Sequence, residues 1–430
     1  MIERPIFHFT PQKNWMNDPN GLVYDRGVWH MFFQYDPISK SSGRRAWGHA
    51  VSRDLVRWQE LDVALMPDKY EMYSGSGAMD IPNTLGLNTP GRTTMLLAVS
   101  EFYNGMCIYY SVDGGNTFAK LGDRTLIPSP DGPDRDPKLF YYDEGKYWVT
   151  MFYGEQHARS GVPGYVFFRS RDLLDWEYMS EVPSNYECPD MRLLPVEGSD
   201  EKKWTILAGN TDTLVGDFDG RSFAPCQPKD KSLRVYMNYA PQTWSDAPGG
   251  RVIQQNWLTG PVDPDTPWTQ QMAFPTDLSL RKTPEGYKLL HSPVPEIKSL
   301  WQKTFDFGPG ELKSGRTGLF DNIEGKALDI EYEYVHAPFS CIVLQTPNGS
   351  MEHLGFEPCV RLNNRWETCR LTKDGTMKVR VLIDTDSIEV FAGEGEVYMC
   401  FTAARGSAPL ALFNHGKPAQ LVRARVSLIG

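Results

Sequence analysis

The chain has 430 residues, 40% hydrophobic and 23% charged, with a formal net charge of −10. That acidic balance argues against a nucleic-acid-binding surface and suits a neutral substrate better than a phosphorylated one. No apolar run approaches the roughly 18 residues of a membrane-spanning helix, and the length calls for one large domain plus a smaller one.

At the N-terminus, MIERPIFHFTPQKNWMNDPNG lacks a basic segment followed by an apolar one, so no signal peptide is read there. The seven cysteines (Cys107, Cys188, Cys226, Cys341, Cys359, Cys369 and Cys400) are scattered without a C-x-x-C pair. They read as reduced thiols of a cytoplasmic protein rather than as metal ligands. Short aromatic and β-branched runs then recur around Trp29, Leu96, Trp148 and Trp204, and these read as strands.

A second series repeats with them. SRDLVRWQE, SVDGGNTFAK and SRDLLDWEY begin at Ser52, Ser111 and Ser170, 59 residues apart in both intervals. Each follows a strand-like segment, carries Asp two residues after its Ser, and ends on an aromatic: Trp58, Phe118 and Trp176. A unit of roughly 50–60 residues with about four short strands is a propeller blade. Five such units reach residue 298. EIKSLWQKTF around Leu300 is expected to be helical, within a linker spanning 299–309. From 310 to 430, segments such as ALDIEYEYV, MKVRVLID and SIEVFAG alternate with period two, as in a β-sandwich. The expected fold is all-β: a five-bladed β-propeller followed by a C-terminal β-sandwich.

Three polar clusters fall in comparable places: WMNDPNG from Trp15, DRDPKLF from Asp134 and YECPDMR from Tyr186. Asp18 and Asp136 are 118 residues apart, twice the repeat, and Glu187 follows 51 residues later. The first strands of all blades line a central channel, so the three carboxylates converge there. A retaining glycosidase needs two carboxylates about 5 Å apart, one to attack the anomeric carbon and one to protonate the leaving oxygen. The Pro after each Asp is expected to hold that Asp in extended backbone. Each cluster alone also fits a plain turn or a surface pair; their shared register is what joins them. No dense D-x-D-x-D run suggests calcium instead.

In this order and spacing the motifs resemble glycoside hydrolase family 32, the invertase, fructan exohydrolase and inulinase/levanase group, over nearly the whole chain. The resemblance implies Asp18 as nucleophile, Glu187 as acid/base and Asp136 as the stabiliser that binds fructose hydroxyls. It further implies substrate contacts from Trp15, Asn17, Gln34, Trp47, Tyr73, Ser76, Arg135, Cys188 and Tyr239, with no metal or cofactor. For Trp47 a stacking wall and plain blade packing stand side by side. The implied activity is retaining hydrolysis of terminal β-D-fructofuranosyl units from sucrose, fructo-oligosaccharides or fructans. Fructosyl transfer by the same residues, an inverting propeller glycosidase and a non-catalytic carbohydrate-binding propeller are the alternatives. An exposed sandwich edge leaves room for a homodimer. Three departures from the family point to an altered leaving-group side. Arg44 and Arg45 replace a tryptophan-containing segment, Asn238 precedes Tyr239-Ala240 where the family has Asp, and Pro275-Thr276-Asp277 stands where Pro-Arg-Glu is common.

Overall fold

The computed structural model describes residues 3–132, 134–184, 186–231, 237–354, 357–363, 365–403 and 405–430. Five antiparallel sheets of four or five strands follow one another in sequence, with first strands Trp15–Asp25, Met72–Met79, Arg135–Tyr142, Asp190–Pro195 and Asn238–Thr243. This is the five-bladed propeller that the repeat predicts.

The repeat itself has a local cause. At the end of the third strand in the first three blades, the hydroxyls of Ser52, Ser111 and Ser170 donate to Asp54, Asp113 and Asp172. The same Asp oxygens accept the backbone N–H groups of Arg57, Thr117 and Asp175 at 2.8, 3.0 and 2.9 Å. One short side chain thereby satisfies the donors of a tight turn, which is why the motif recurs.

The ring closes between the last blade and the first. Tyr24 N–H donates to the Ser245 carbonyl at 3.0 Å and Ser245 N–H to the Leu22 carbonyl at 2.9 Å. Over this seam Trp244 packs edge-on to Trp29 and stacks on Trp58, donating its Nε1–H to the His30 carbonyl at 3.0 Å. Inner strands are irregular at matching places. Pairing slips between Met16 and Pro19, Met72 and Gly75, Arg135 and Lys138, and Tyr239 and Gln242. Such bulges bend a strand and re-aim its side chains, and here four of the five blades bulge where they face one end of the channel.

The C-terminal unit is a sandwich of two antiparallel sheets, one including Ala327–Val335, Thr376–Ile383 and Ala419–Ile429, the other Cys341–Thr346 and Ala411–Asn414. Alternate residues such as Ile330, Tyr332, Ile342, Leu344, Val379 and Val381 fill the space between them. The linker expectation is corrected. Only Pro295–Leu300 is helical, as a short 3₁₀ turn, and Trp301–Phe307 is a strand paired with Ala419–Ile429. Its β-branched and aromatic residues (Trp301, Thr304, Phe305 and Phe307) suit the sheet edge it completes.

The N-terminal segment ties the two units together. His8 is buried with Nδ1 at 2.8 Å from Asp384 and Nε2 at 2.6 Å from Glu389. Asp384 also accepts the N–H groups of Ile6, Phe7 and His8, and Glu389 accepts the Phe274 N–H of the last blade. Burial disfavours the imidazolium, but the two carboxylates outweigh it and hold His8 up at about 10. The pair therefore stabilises the fold fully below the unfolded value near 6.5 and loses its contribution as pH rises through about 10. His8→Ala strands two buried carboxylates and is expected to cost about 3–5 kcal/mol at pH 7. Denaturant midpoints followed by tryptophan fluorescence check it: the gap to wild type narrows above pH 10, and an unchanged midpoint at pH 7 contradicts the coupling.

Candidate active site

Asp18 and Asp136 both sit in inner-strand bulges, and Glu187 lies in the segment leading into the fourth blade's inner strand. The extended backbone expected from the following prolines holds only in part. Asp136 is left-handed, with φ +62°, and so is Cys188 at +53°. The bulge, rather than Pro137, sets the aim of Asp136. Conformations of this kind cost of order 1–3 kcal/mol for a non-glycine residue and persist where surroundings fix them. Here the fixing contacts are the Asp136 N–H to Ser100 Oγ at 3.1 Å and the Cys188 N–H to Asp136 Oδ2 at 3.0 Å.

The Cys188 thiol touches both buried carboxyls, 3.6 Å from Asp18 Oδ2 and 3.4 Å from Asp136 Oδ2. Ser74 donates its hydroxyl to Asp18 Oδ2 at 2.6 Å. Asp18 Oδ1 is buried and has no hydrogen-bond partner among the described residues. Arg135 joins the cluster to Glu187: its Nε lies 2.6 Å from Glu187 Oε2 and 3.9 Å from Asp136 Oδ2, while Nη1 reaches Glu155 at 3.1 Å. Tyr239 donates its phenol to Glu187 Oε1 at 3.2 Å. Asp18 and Asp136 are 8% and 4% exposed, whereas the Glu187 side chain is 34% exposed. One carboxyl pair is deep and the third carboxylate stands at the mouth.

Below them the channel is plugged. Lys138, two residues beyond Asp136 on the same strand, reaches across to Asp190 at 2.6 Å and to the Thr243 carbonyl and hydroxyl at 3.3 Å. Both members of this ion pair are fully buried.

Several expected site residues take other roles. Ser76 donates nothing to the pocket; its hydroxyl accepts the Leu139 N–H at 2.8 Å and joins the second blade to the third. Ser74, two positions earlier on the same face of the strand, holds Asp18 instead. Period-two alternation makes the two serines equivalent in sequence, and only the bulge at Met72–Gly75 separates them. Trp47 is fully buried against Phe32 and Gly21 and donates Nε1–H to the Tyr73 carbonyl at 2.9 Å. It is blade packing that positions Tyr73, not a wall for a sugar. Gln34 is likewise buried, donating to the Met72 carbonyl at 2.9 Å behind the bulge. Asn17 accepts the Asp18 N–H at 2.6 Å, and Trp15 and Tyr73 are half-buried at the rim. Gly209 escaped notice altogether. Its N–H donates to the Glu187 carbonyl at 2.8 Å, and a Cβ there would stand 2.6 Å from that oxygen. Ser100, which also donates to the Ser74 carbonyl at 2.9 Å, was missed for the same reason: nothing local marks a serine whose partners lie in other blades.

Residues 8–293 match the glycosyl hydrolases family 32 N-terminal domain, and residues 350–426 match the family's C-terminal domain. The chain belongs to glycoside hydrolase family 32. A levanase of Bacillus subtilis is 32% identical over 91% of this chain, which spans 65% of that protein's length. The extracellular exo-inulinase inuE of Aspergillus niger is 30% identical over 91% of this chain and 88% of its own length. The crystal structure of exo-inulinase from Aspergillus awamori superposes with a TM-score of 0.87 at 24% identity, covering 100% of this chain and 99% of that one. The cytoplasmic expectation is overturned by these relatives: the matched exo-inulinases are extracellular by name.

Burial pushes the Asp18 carboxyl up to about 6; the Ser74 hydroxyl opposes that and the Glu187 charge adds to it. Burial and the Glu187 charge likewise push Asp136 up, against Arg135. Because these groups feel one another, their titration belongs to the cluster. With Asp18 in its expected role as nucleophile, which requires the ionised form, kcat/KM is expected to fall as pH drops below about 6. Stability runs the other way: the raised carboxyl contributes fully below its unfolded value near 4 and loses that contribution as pH rises through 6. Asp18→Asn should therefore gain about 2 kcal/mol on wild type between pH 4.5 and 7.5. Melting curves at the two pH values check this, and parallel shifts for both proteins contradict it.

Proposed function

We propose that the chain hydrolyses terminal, non-reducing β-D-fructofuranosyl units of sucrose, fructo-oligosaccharides or fructans with retention of configuration. The observation that carries this reading is the depth order of the carboxylates. Asp18 stands deep, with one buried oxygen left without a hydrogen-bond partner among the described residues, and Glu187 stands at the mouth, its side chain 34% exposed. A sugar ring entering this pocket meets the nucleophile from within and finds the acid beside the bond that leads out. With the channel plugged by Lys138 and Asp190, a chain cannot thread through, which favours removal of end units. The names of the matched levanase and exo-inulinases support the fructan assignment.

In the first step Asp18 Oδ1 forms a bond to the anomeric C2 while the C2–O bond to the leaving group breaks. Glu187 gives its proton to that departing oxygen. Positive charge developing on the ring is stabilised by the flanking carboxylates, and Asp136 accepts hydrogen bonds from ring hydroxyls. In the second step Glu187 takes a proton from water, the water oxygen attacks C2, and the bond to Asp18 breaks to release fructose. No step calls for a metal or an organic cofactor.

Asp18→Asn is expected to lower kcat by about 10⁴-fold or more while leaving the fold intact. Proton NMR of the first-formed fructose should show the β-anomer before mutarotation. Incubation with sucrose, inulin, levan and short oligosaccharides, with products separated by chain length, distinguishes hydrolysis from transfer. Release of no fructose from any of the four, or an inverted first product, would falsify the proposal.

A further inference from the structure

Arg45 stands at the pocket mouth and takes no part in the chemistry above. The loop before it is gathered around one side chain: the Asp36 carboxylate accepts the N–H groups of Ile38, Ser39, Gly43 and Arg44 at 2.8–3.1 Å. Arg45 then enters the third strand of the first blade, where its carbonyl accepts the Met72 N–H at 3.0 Å. Its guanidinium lies 4.6 Å over the Tyr73 ring, and Tyr73 in turn stacks on Phe102 at 4.3 Å and 5°. The Nη1 group donates to Glu71 Oε2 at 2.6 Å and to the Tyr73 hydroxyl at 3.2 Å. The side chains of Arg45 and Glu71 are 27% and 33% exposed. This stack borders the reaction centre, since the Arg45 charge acts on Asp18 and the Tyr73 phenol feels Arg135 and Asp136.

We infer that Arg45 and Glu71 form the subsite that reads the leaving group, and that it takes a neutral polyol with adjacent hydroxyls. The inference rests on the fructosidase reading. With the inner end of the channel closed, the leaving group has only the mouth to occupy. There the ion pair offers both halves of hydroxyl recognition: guanidinium N–H groups beyond Nη1 as donors, and carboxylate oxygen as acceptor. The ion pair carries no net charge to favour a charged leaving group, and a hydroxyl-free aryl group would leave both side chains unmatched. The cation–π contact with Tyr73 and the Nη1 bonds to Glu71 and the Tyr73 hydroxyl hold the fork in one orientation, which a flexible ammonium would not reproduce. Tyr103, 53% exposed and 4.1 Å from Phe102 between ring centres, extends the same platform outward.

The test compares kcat/KM for an oligofructoside with that for p-nitrophenyl β-D-fructofuranoside. Assays run at pH 7.5, above the Asp18 titration, so that any change in its ionisation affects both substrates alike. In Arg45→Ala the ratio is expected to fall about 10-fold, through the KM of the oligofructoside, as for loss of one or two hydrogen bonds. Arg45→Lys, which keeps the charge without the planar fork, should lose about 3-fold, and Glu71→Gln should fall in the same direction. Ratios within about twofold of wild type in Arg45→Lys and Glu71→Gln overturn the inference even where Arg45→Ala fails to fold. In that outcome both variants still release fructose and the fructosidase reading stands. Wild-type protein releasing fructose from neither substrate overturns that reading and this inference together.

Discussion

Two carboxyls held out of water within reach of one thiol set the terms for the whole pocket. Asp18 and Asp136 are both nearly enclosed, and each touches Cys188. Burying a carboxylate without compensation costs several kcal/mol, so the surroundings must supply hydrogen bonds and opposite charge from several directions at once. Ser74 comes from the second blade, Cys188 from the approach to the fourth, and Arg135 from the third. Of these only Arg135 is local, as the chain neighbour of Asp136; Ser74 and Cys188 are brought in by the fold. The left-handed Asp136 and Cys188 are tolerated for the same reason, because contacts from neighbouring blades over-determine them.

That dependence explains why the fold was more legible than the site. The 59-residue interval was visible because its cause is local: a serine, an aspartate and a strand end within six residues. The three acidic clusters inherited that register and could be placed in one channel before any contact was known. What sequence could not show was which member of an alternating pair faces the pocket. Ser74 and Ser76 share a strand face, and a bulge decides between them. Trp47 and Gln34 carry motif residues yet serve the packing behind the pocket. Trp301–Phe307 was expected as linker because its strand character depends on a partner more than a hundred residues away. The His8 lock was invisible for the same reason, with both carboxylates lying at the far end of the chain.

The lock and the plug divide the labour of keeping the ring in shape. Lys138 and Asp190 fix inner strands of the third, fourth and fifth blades to one another. His8, Asp384 and Glu389 fix the outer side of the last blade to the sandwich. Inner strands bulged in four of the five blades have lost part of their ladder, so a ring held only by backbone pairing would be soft at the working end. Buried ion pairs are poor sources of net stability but strict about geometry, and geometry is what convergent side chains need.

The arrangement of charge also gives direction to the reaction. In the proposed reaction Asp18 loses its negative charge on bonding to the sugar, and Glu187 gains one on protonating the leaving oxygen. Charge therefore passes from the most enclosed position in the cluster to the most exposed. At its destination it meets Arg135 at 2.6 Å and the Tyr239 hydroxyl at 3.2 Å, whereas at its origin it had a hydroxyl and a thiol. The unfavourable burial that raises Asp18 is relieved as the covalent bond forms. Donors fixed around Glu187 before the reaction stabilise the charge that develops there without reorganising. Depth, rather than a difference in chemical group, separates the proposed nucleophile from the proposed acid.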